Sequence, residues 1–209
     1  MSDQSSSKAK NIVKHKVLDR TKFPNIIIVG ATASGKSTVG YQLSRLLGIG
    51  FIDLDKWIEK KEGKSITEIF EDSGEQYFRD LEKKVIKELS SIRNHVIVPG
   101  AGAIEDEENW QMLSKYGKTV WLATPIKEIA VRLSQRVGEL EKRPLLKEAI
   151  KIEDKAQRLQ FIEEKLQGLF DKRIASYSKA DYRLSAEYAT EEASAQFMRY
   201  IFLNTSSSS

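Results

Sequence analysis

The sequence predicts an α/β fold, a parallel β-sheet covered by helices on both faces, and three observations predict it. Short β-branched runs alternate with longer helical patterns along most of the 209 residues. Strands separated by helices imply right-handed βαβ units and hence a parallel sheet. The first run, Ile26–Val29, stops at a glycine, and a loop of small residues follows before a helical pattern opens at Lys36. In such sheets ligands bind beyond the carboxyl ends of the strands, so the loops there are the places to search for chemistry.

In chain order, strands are expected at Asn25–Val29, Gly50–Asp53, His95–Val98, Thr119–Ala123 and Tyr182–Ser185. Helices are expected at 36–47, 55–61, 65–72, 75–91, 106–116, 126–137, 154–175 and 190–203. The 75–91 pattern is clear, with Phe78, Leu81, Val85 and Leu89 on one face and charges opposite. Residues 1–22 are Ser- and Lys-rich without an apolar period and read as a flexible basic leader, with native disorder favoured. Residues 23–203 read as a single domain, and "NTSSSS" at 204–209 as a disordered tail.

Composition excludes several function classes. Hydrophobic content is 40% and charged content 31%, the balance of a soluble globular chain. No apolar run approaches the roughly 20 residues that span a bilayer, and the N-terminus lacks an apolar signal core. Zero cysteines leave neither a disulfide framework nor a thiolate metal site, in keeping with a cytoplasmic setting. The formal charge of +4 resides in the leader, where six Lys and Arg residues face only Asp3 and Asp19. Residues 23–209 are therefore neutral, and a nucleic-acid or membrane partner is not expected.

Gly30-Ala31-Thr32-Ala33-Ser34-Gly35-Lys36-Ser37 fits G-x-x-x-x-G-K-[ST] between an expected strand and an expected helix, with Thr38 next. Backbone N–H groups of such a loop converge on phosphate oxygens, and the helix N-terminus adds partial positive charge. Lys36 would reach the β- and γ-phosphates, and Ser37 would ligate Mg²⁺. An ordinary strand-to-helix turn is the competing reading, and the spacing, Lys and Ser together argue against it.

"FIDLD" follows on the second strand. Asp53 and Asp55 are two apart, so on an extended chain they point the same way, beside the phosphate loop. One could organise the Mg²⁺ surroundings and the other accept a proton from an attacking hydroxyl. Helix capping by Asp55 is an equally good reading of the pair alone.

The stretch from Gly30 to Glu82, with later motifs up to Asp181, resembles the shikimate kinases, small members of the nucleoside-monophosphate kinase group. The resemblance implies a three-layer α/β/α P-loop kinase fold with a five-stranded parallel sheet and a mobile lid at about 136–153. It implies ATP and Mg²⁺ as cofactors and transfer of phosphate to the 3-hydroxyl of shikimate by a monomeric enzyme. Asp53 would then serve the metal and Asp55 would bind the reacting hydroxyl as base. "FRDLE" supplies Arg79 for the substrate carboxylate and Glu82 to orient it; a guanidinium fork suits a carboxylate. Without the resemblance, Arg79 and Glu82 would be an exposed helix pair worth under about 1 kcal/mol.

Gly100-Ala101-Gly102 stands where the family has three glycines, a turn presenting N–H groups to the substrate ring. Ala101 departs from that pattern and, at positive φ, would cost on the order of 1–2 kcal/mol. "RPLL" matches the lid, where Arg143 would meet the transferring phosphoryl group, and Arg136 matches an arginine that stacks near adenine. By itself, this basic, proline-broken stretch is a solvated loop. In "KRIASYSKAD", Arg173 falls on a second arginine for the substrate carboxylate. The segment "KEAIKIEDKAQ" makes the span after the lid longer than in relatives, lengthening a helix or the lid hinge. Two other readings stay open at this point: a binding module with the fold but no turnover, and a kinase for another small hydroxy acid.

Overall fold

The computed structural model describes residues 24–141, 143–185 and 190–205. The leader at 1–22 and the tail residues 206–209 lie outside the described residues. Five strands, β1 (Asn25–Val29), β2 (Gly50–Asp53), β3 (His95–Val98), β4 (Gly117–Ala123) and β5 (Tyr182–Ser185), form one sheet in the order β2-β3-β1-β4-β5. Every pairing is parallel. The chain moves outward one way from β1 to β2 and the other way from β3 to β4, so the strand order reverses at β1. Ligand crevices form at such a reversal, beyond the strands' carboxyl ends.

β1 shows why the sheet is buried on both sides. Ile26 and Ile28 face a cluster with Val39, Leu43, Val98, Leu122, Met198 and Phe202, contributed partly by helices α1 (Lys36–Leu47) and α8 (Glu191–Thr205). Ile27 and Val29 point the other way, into a cluster with Phe78, Val85, Ile97, Trp110, Trp121 and Tyr177. Alternate residues of one strand thus feed two cores, which a continuous β-branched run permits. The second face is covered by α3 (Ile66–Glu88), α4 (Glu107–Tyr116) and α7 (Lys155–Tyr177), with α2 (Leu54–Glu62) beside α3.

Several element boundaries differ from the sequence reading. The two helices expected at 65–72 and 75–91 are both present as the two parts of α3, which meet at Gly74, whose φ of 80° and ψ of 173° are not helical; the second part ends at Glu88 rather than 91, and a 3₁₀ turn follows. Strand β4 starts at Gly117 rather than Thr119, because Gly117 pairs with Asn25, and a Cβ there would meet the Asn25 carbonyl at 2.2 Å. Helix α5 (Ile126–Ser134) stops early and a short α6 (Val137–Glu141) follows. Helix α8 continues through Thr205, two residues into the segment read as tail.

The lid region is folded rather than a solvated loop. Pro144–Lys151 is a 3₁₀ helix, and its Leu146 and Ala149 join Leu140 of α6 in a core with Ile129, Leu133, Ile162 and Leu166. The segment 147–157 supplies part of that core and then opens α7, where Asp154 caps the helix by accepting from the Gln157 N–H at 2.8 Å. No helix among the described residues is long and apolar enough to cross a membrane.

Candidate active site

A cavity of about 740 Å³ opens at the carboxyl edge of the sheet. Its floor is the phosphate loop between β1 and α1. Gly30 (φ 155°) and Gly35 (φ 97°) take conformations that disfavour a side chain, and Gly35 caps α1 without a side-chain acceptor. The N–H groups of the first turn therefore stay available to a ligand. Ala33 adopts φ 58°, a left-handed state costing roughly 1–2 kcal/mol for a residue with a Cβ. Such strain gathers where a loop must hold a special shape. The Thr124 hydroxyl donates to the Ser34 carbonyl at 2.9 Å and ties the loop to the end of β4.

Lys36 is buried and curls back over this loop, its Nζ donating to the carbonyls of Gly30 at 2.9 Å and Ala31 at 2.7 Å. Burial pushes its ammonium down to about 8, against the pull of Asp55 and Asp53. Gly30 and Ala31 lie beneath the cavity as the backbone seat of Lys36, while Thr32, Ala33, Ser34, Gly35, Ser37 and Thr38 line it. Ser37 and Thr38 are exposed.

The carboxylates are arranged differently from the extended-chain picture. The strand ends at Asp53, which caps α2 by accepting from the Lys56 N–H at 3.3 Å. Asp55 is not the cap but lies within the first turn of α2 and lines the cavity. Its carboxyl is raised to about 6, first by burial and then by the neighbouring Asp53 charge. Glu82 stands beside it. A Cβ placed on Gly100 would lie 2.5 Å from Glu82 Oε1 and 2.8 Å from Asp55 Oδ1, so both oxygens converge on that glycine. Glu82 Oε1 is buried without a hydrogen-bond partner, and burial lifts this carboxyl to about 7 despite Arg79.

Arg79 donates through Nη1 to Glu82 at 2.5 Å and through Nη2 to Glu75 at 2.8 Å. Gly102 makes room for it, since a Cβ there would meet both terminal nitrogens at 2.7 Å. Glycines 100 and 102 are thus required for space, not for a positive φ: Ala101 is not among the described residues with positive φ, and its expected strain is absent. Arg173, on α7, is nearly buried; its Nε donates to Glu105 Oε1 at 2.8 Å, and its Nη2 lies 2.8 Å from the same oxygen as an ion pair. Arg143 precedes the 3₁₀ helix of the lid and pairs with Glu139 at 3.1 Å. Arg136 is exposed at the cavity margin.

The family model for shikimate kinase matches residues 32–202. The chain belongs to the shikimate kinase family. It is 40% identical over 163 residues to a shikimate kinase of Persephonella marina, covering 78% of this chain and 89% of that one. A shikimate kinase of Aquifex aeolicus is 38% identical over 167 residues, covering 80% and 89%. Among solved structures, a shikimate kinase from Acinetobacter baumannii in complex with shikimate superposes with a TM-score of 0.76 at 34% identity, covering 88% of this chain and 95% of that one.

With the shikimate kinase fold in hand, the residues singled out in the sequence fall around one cavity. Apart from Glu82, the sequence reading missed the anionic partners. Glu75 and Glu139 each lie four residues before their arginine, a helical spacing visible in the sequence. Glu105 is 68 residues from Arg173 and no local pattern announces it. Arg132 was missed too: one helical turn before Arg136, it lies beside Gly35 and pairs with Glu191 of α8 at 3.2 Å.

Proposed function

We propose that this chain transfers the γ-phosphoryl group of ATP to the 3-hydroxyl of shikimate. The observation that carries the reading is one cavity joining a phosphate loop and its lysine to a pair of carboxylates, Glu82 buried and Asp55 half-buried, and two guanidinium groups. In this reading Arg79 and Arg173 grip the substrate carboxylate, and the turn at Gly100, Ala101 and Gly102 faces the ring. Asp55 takes the hydroxyl proton. Its elevated affinity for a proton suits a base working near neutral pH. Glu82 orients Arg79. Lys36, with Arg143 from the lid, meets the charge that spreads over the phosphoryl oxygens in the transition state. Arg136 and the neighbouring Arg132 would flank the nucleotide.

Ser37 and Asp53 fit a Mg²⁺ ion. Both are hard oxygen donors lining the same cavity, and Mg²⁺ needs only one or two protein oxygens beside substrate phosphates and water. Bound there, the ion would neutralise charge on the phosphate oxygens. A monomer working in the cytoplasm belongs to the same reading, and the absence of cysteine agrees with a reducing compartment.

The test is ADP release with ATP and a panel of hydroxylated carboxylic acids, with ATP alone as control. Release that depends on shikimate, and product phosphorylated at the 3-hydroxyl, supports the reading. Shikimate binding without turnover, or a better substrate elsewhere in the panel, overturns it.

A further inference from the structure

The guanidinium of Arg173 has two edges, and they face different places. Its Nε/Nη2 edge is taken by Glu105 Oε1, each nitrogen 2.8 Å away. Arg173 lines the cavity, whereas Glu105 does not; that carboxylate sits behind the arginine. The Arg173 side chain is 6% exposed and Glu105 is 42% exposed, so the anchor stands on the solvent side of a nearly buried cation. Glu105 is also the last residue of the 3₁₀ turn Ala103–Glu105, which continues directly from the glycine turn. Within it the Ala103 N–H donates to the Gly100 carbonyl at 3.1 Å, and the Glu105 N–H to the Gly102 carbonyl at 3.0 Å. Asn109, at the start of α4, braces the turn by donating to the Ala103 carbonyl at 3.0 Å.

We propose that Glu105 is a positioning residue for the substrate carboxylate: it clamps the back edge of Arg173 and fixes that arginine to the glycine turn. A guanidinium held along one side keeps its Nη1/Nη2 end as a ready fork for a second carboxylate. The turn that faces the ring and the arginine that holds the carboxylate then share one mechanical connection. A site prepared in this way does not have to order Arg173 when the substrate arrives. The proposal rests on the reading of Arg173 as a carboxylate-binding group.

Glu105→Ala, Glu105→Gln and Arg173→Lys are compared in full kinetics with shikimate and with its methyl ester. Loss of a charge-assisted anchor predicts a rise in shikimate KM of roughly tenfold or more in Glu105→Ala. ATP KM should stay near the parent's and kcat should fall much less than KM rises, while the melting temperature should drop because the nearly buried Arg173 loses its anion. Glu105→Gln, which keeps an acceptor oxygen, should recover part of the loss. The methyl ester, lacking the carboxylate, should be handled equally poorly by parent and variant. An unchanged KM overturns the proposal, and so does a lowered one, which would make Glu105 a competitor for Arg173. An equal loss with the ester overturns it as well, marking a general defect. If Arg173→Lys itself leaves KM unchanged, the carboxylate reading fails and the role of Glu105 with it. If only Glu105→Ala is silent, Arg173 stands and the positioning role alone is lost.

Discussion

Gly100→Ala isolates the geometry of the carboxylate pair. Gly100 has no positive φ, so the added methyl strains no backbone dihedral; its effect is local crowding. An ordinary 3.4 Å contact requires the Glu82 oxygen to retreat from 2.5 Å, about 0.9 Å, and the Asp55 oxygen from 2.8 Å, about 0.6 Å. Both side chains have room only at the expense of the cavity they line. A misplacement near 1 Å at a reacting group costs on the order of 100-fold in rate. The expected result is a kcat loss of that order in an ADP-coupled assay. The change in fold stability should stay within about 1–3 kcal/mol, the range for modest overpacking. Gly168→Ala is the control. It lies within α7 with nothing within 4 Å of a built Cβ, so it should stabilise by roughly 0.5–1 kcal/mol without touching turnover. Near-parental kcat in Gly100→Ala would refute the claim that the two oxygens are held where the reaction needs them.

Arg79→Lys keeps the charge but loses the fork that spans Glu75 and Glu82, so shikimate KM should rise about tenfold or more while ATP KM holds; equal KM values would remove Arg79 from the carboxylate site. Asp55→Asn should lower kcat by about 10²–10⁴ with the melting temperature near the parent's, since the change is isosteric; an active variant would leave Asp55 no role as base. Glu82 gives a pH signature in stability. Its folded carboxyl titrates near 7 against an ordinary 4.5, so the folded state holds the extra proton between these values. Its contribution is greatest below about pH 4.5 and is lost as pH rises through about 7. Glu82→Gln should therefore flatten the fall in melting temperature across that window, and parallel pH curves for parent and variant would contradict the assignment.

Much of this was legible in the sequence because local rules sufficed. The run Asn25–Val29 announces a buried central strand, and the loop after it announces its ligand by spacing alone. Helix ends were legible where a cap marks them, as at Asp154, and illegible where tertiary contacts decide. Gly74 reads as a break, and its non-helical dihedrals do separate the two parts of α3. The lid stretch reads as polar loop because the partners of Leu140 and Leu146, chiefly Ile129 and Ile162, come from other helices. The Asp53–Asp55 pair was placed on one face by the period of a strand, but the strand stops at Asp53 and a helix begins. The coupling survives because a strand-to-helix turn also keeps the two charges close.

The partners of the four cations stand in different places around the cavity. Lys36 rests on carbonyls of its own loop, and Arg143 on Glu139, which lines the cavity. The Arg143 contact lies on the cavity side, where an arriving phosphate oxygen could replace it, whereas the seat of Lys36 lies beneath the cavity. Arg173 is held by Glu105, which does not line the cavity, and Arg79 is held both by Glu75 outside it and by Glu82, which lines it. A buried cation without a partner is costly, so Lys36 and Arg173, the two that are buried, need an anion or carbonyl in the ligand-free protein. Where that partner stands determines what the cation can do. Placed behind the wall, it leaves the cation fixed and presented, as a substrate carboxylate requires. Placed inside, it leaves the cation free to change partners, as a moving phosphoryl group requires.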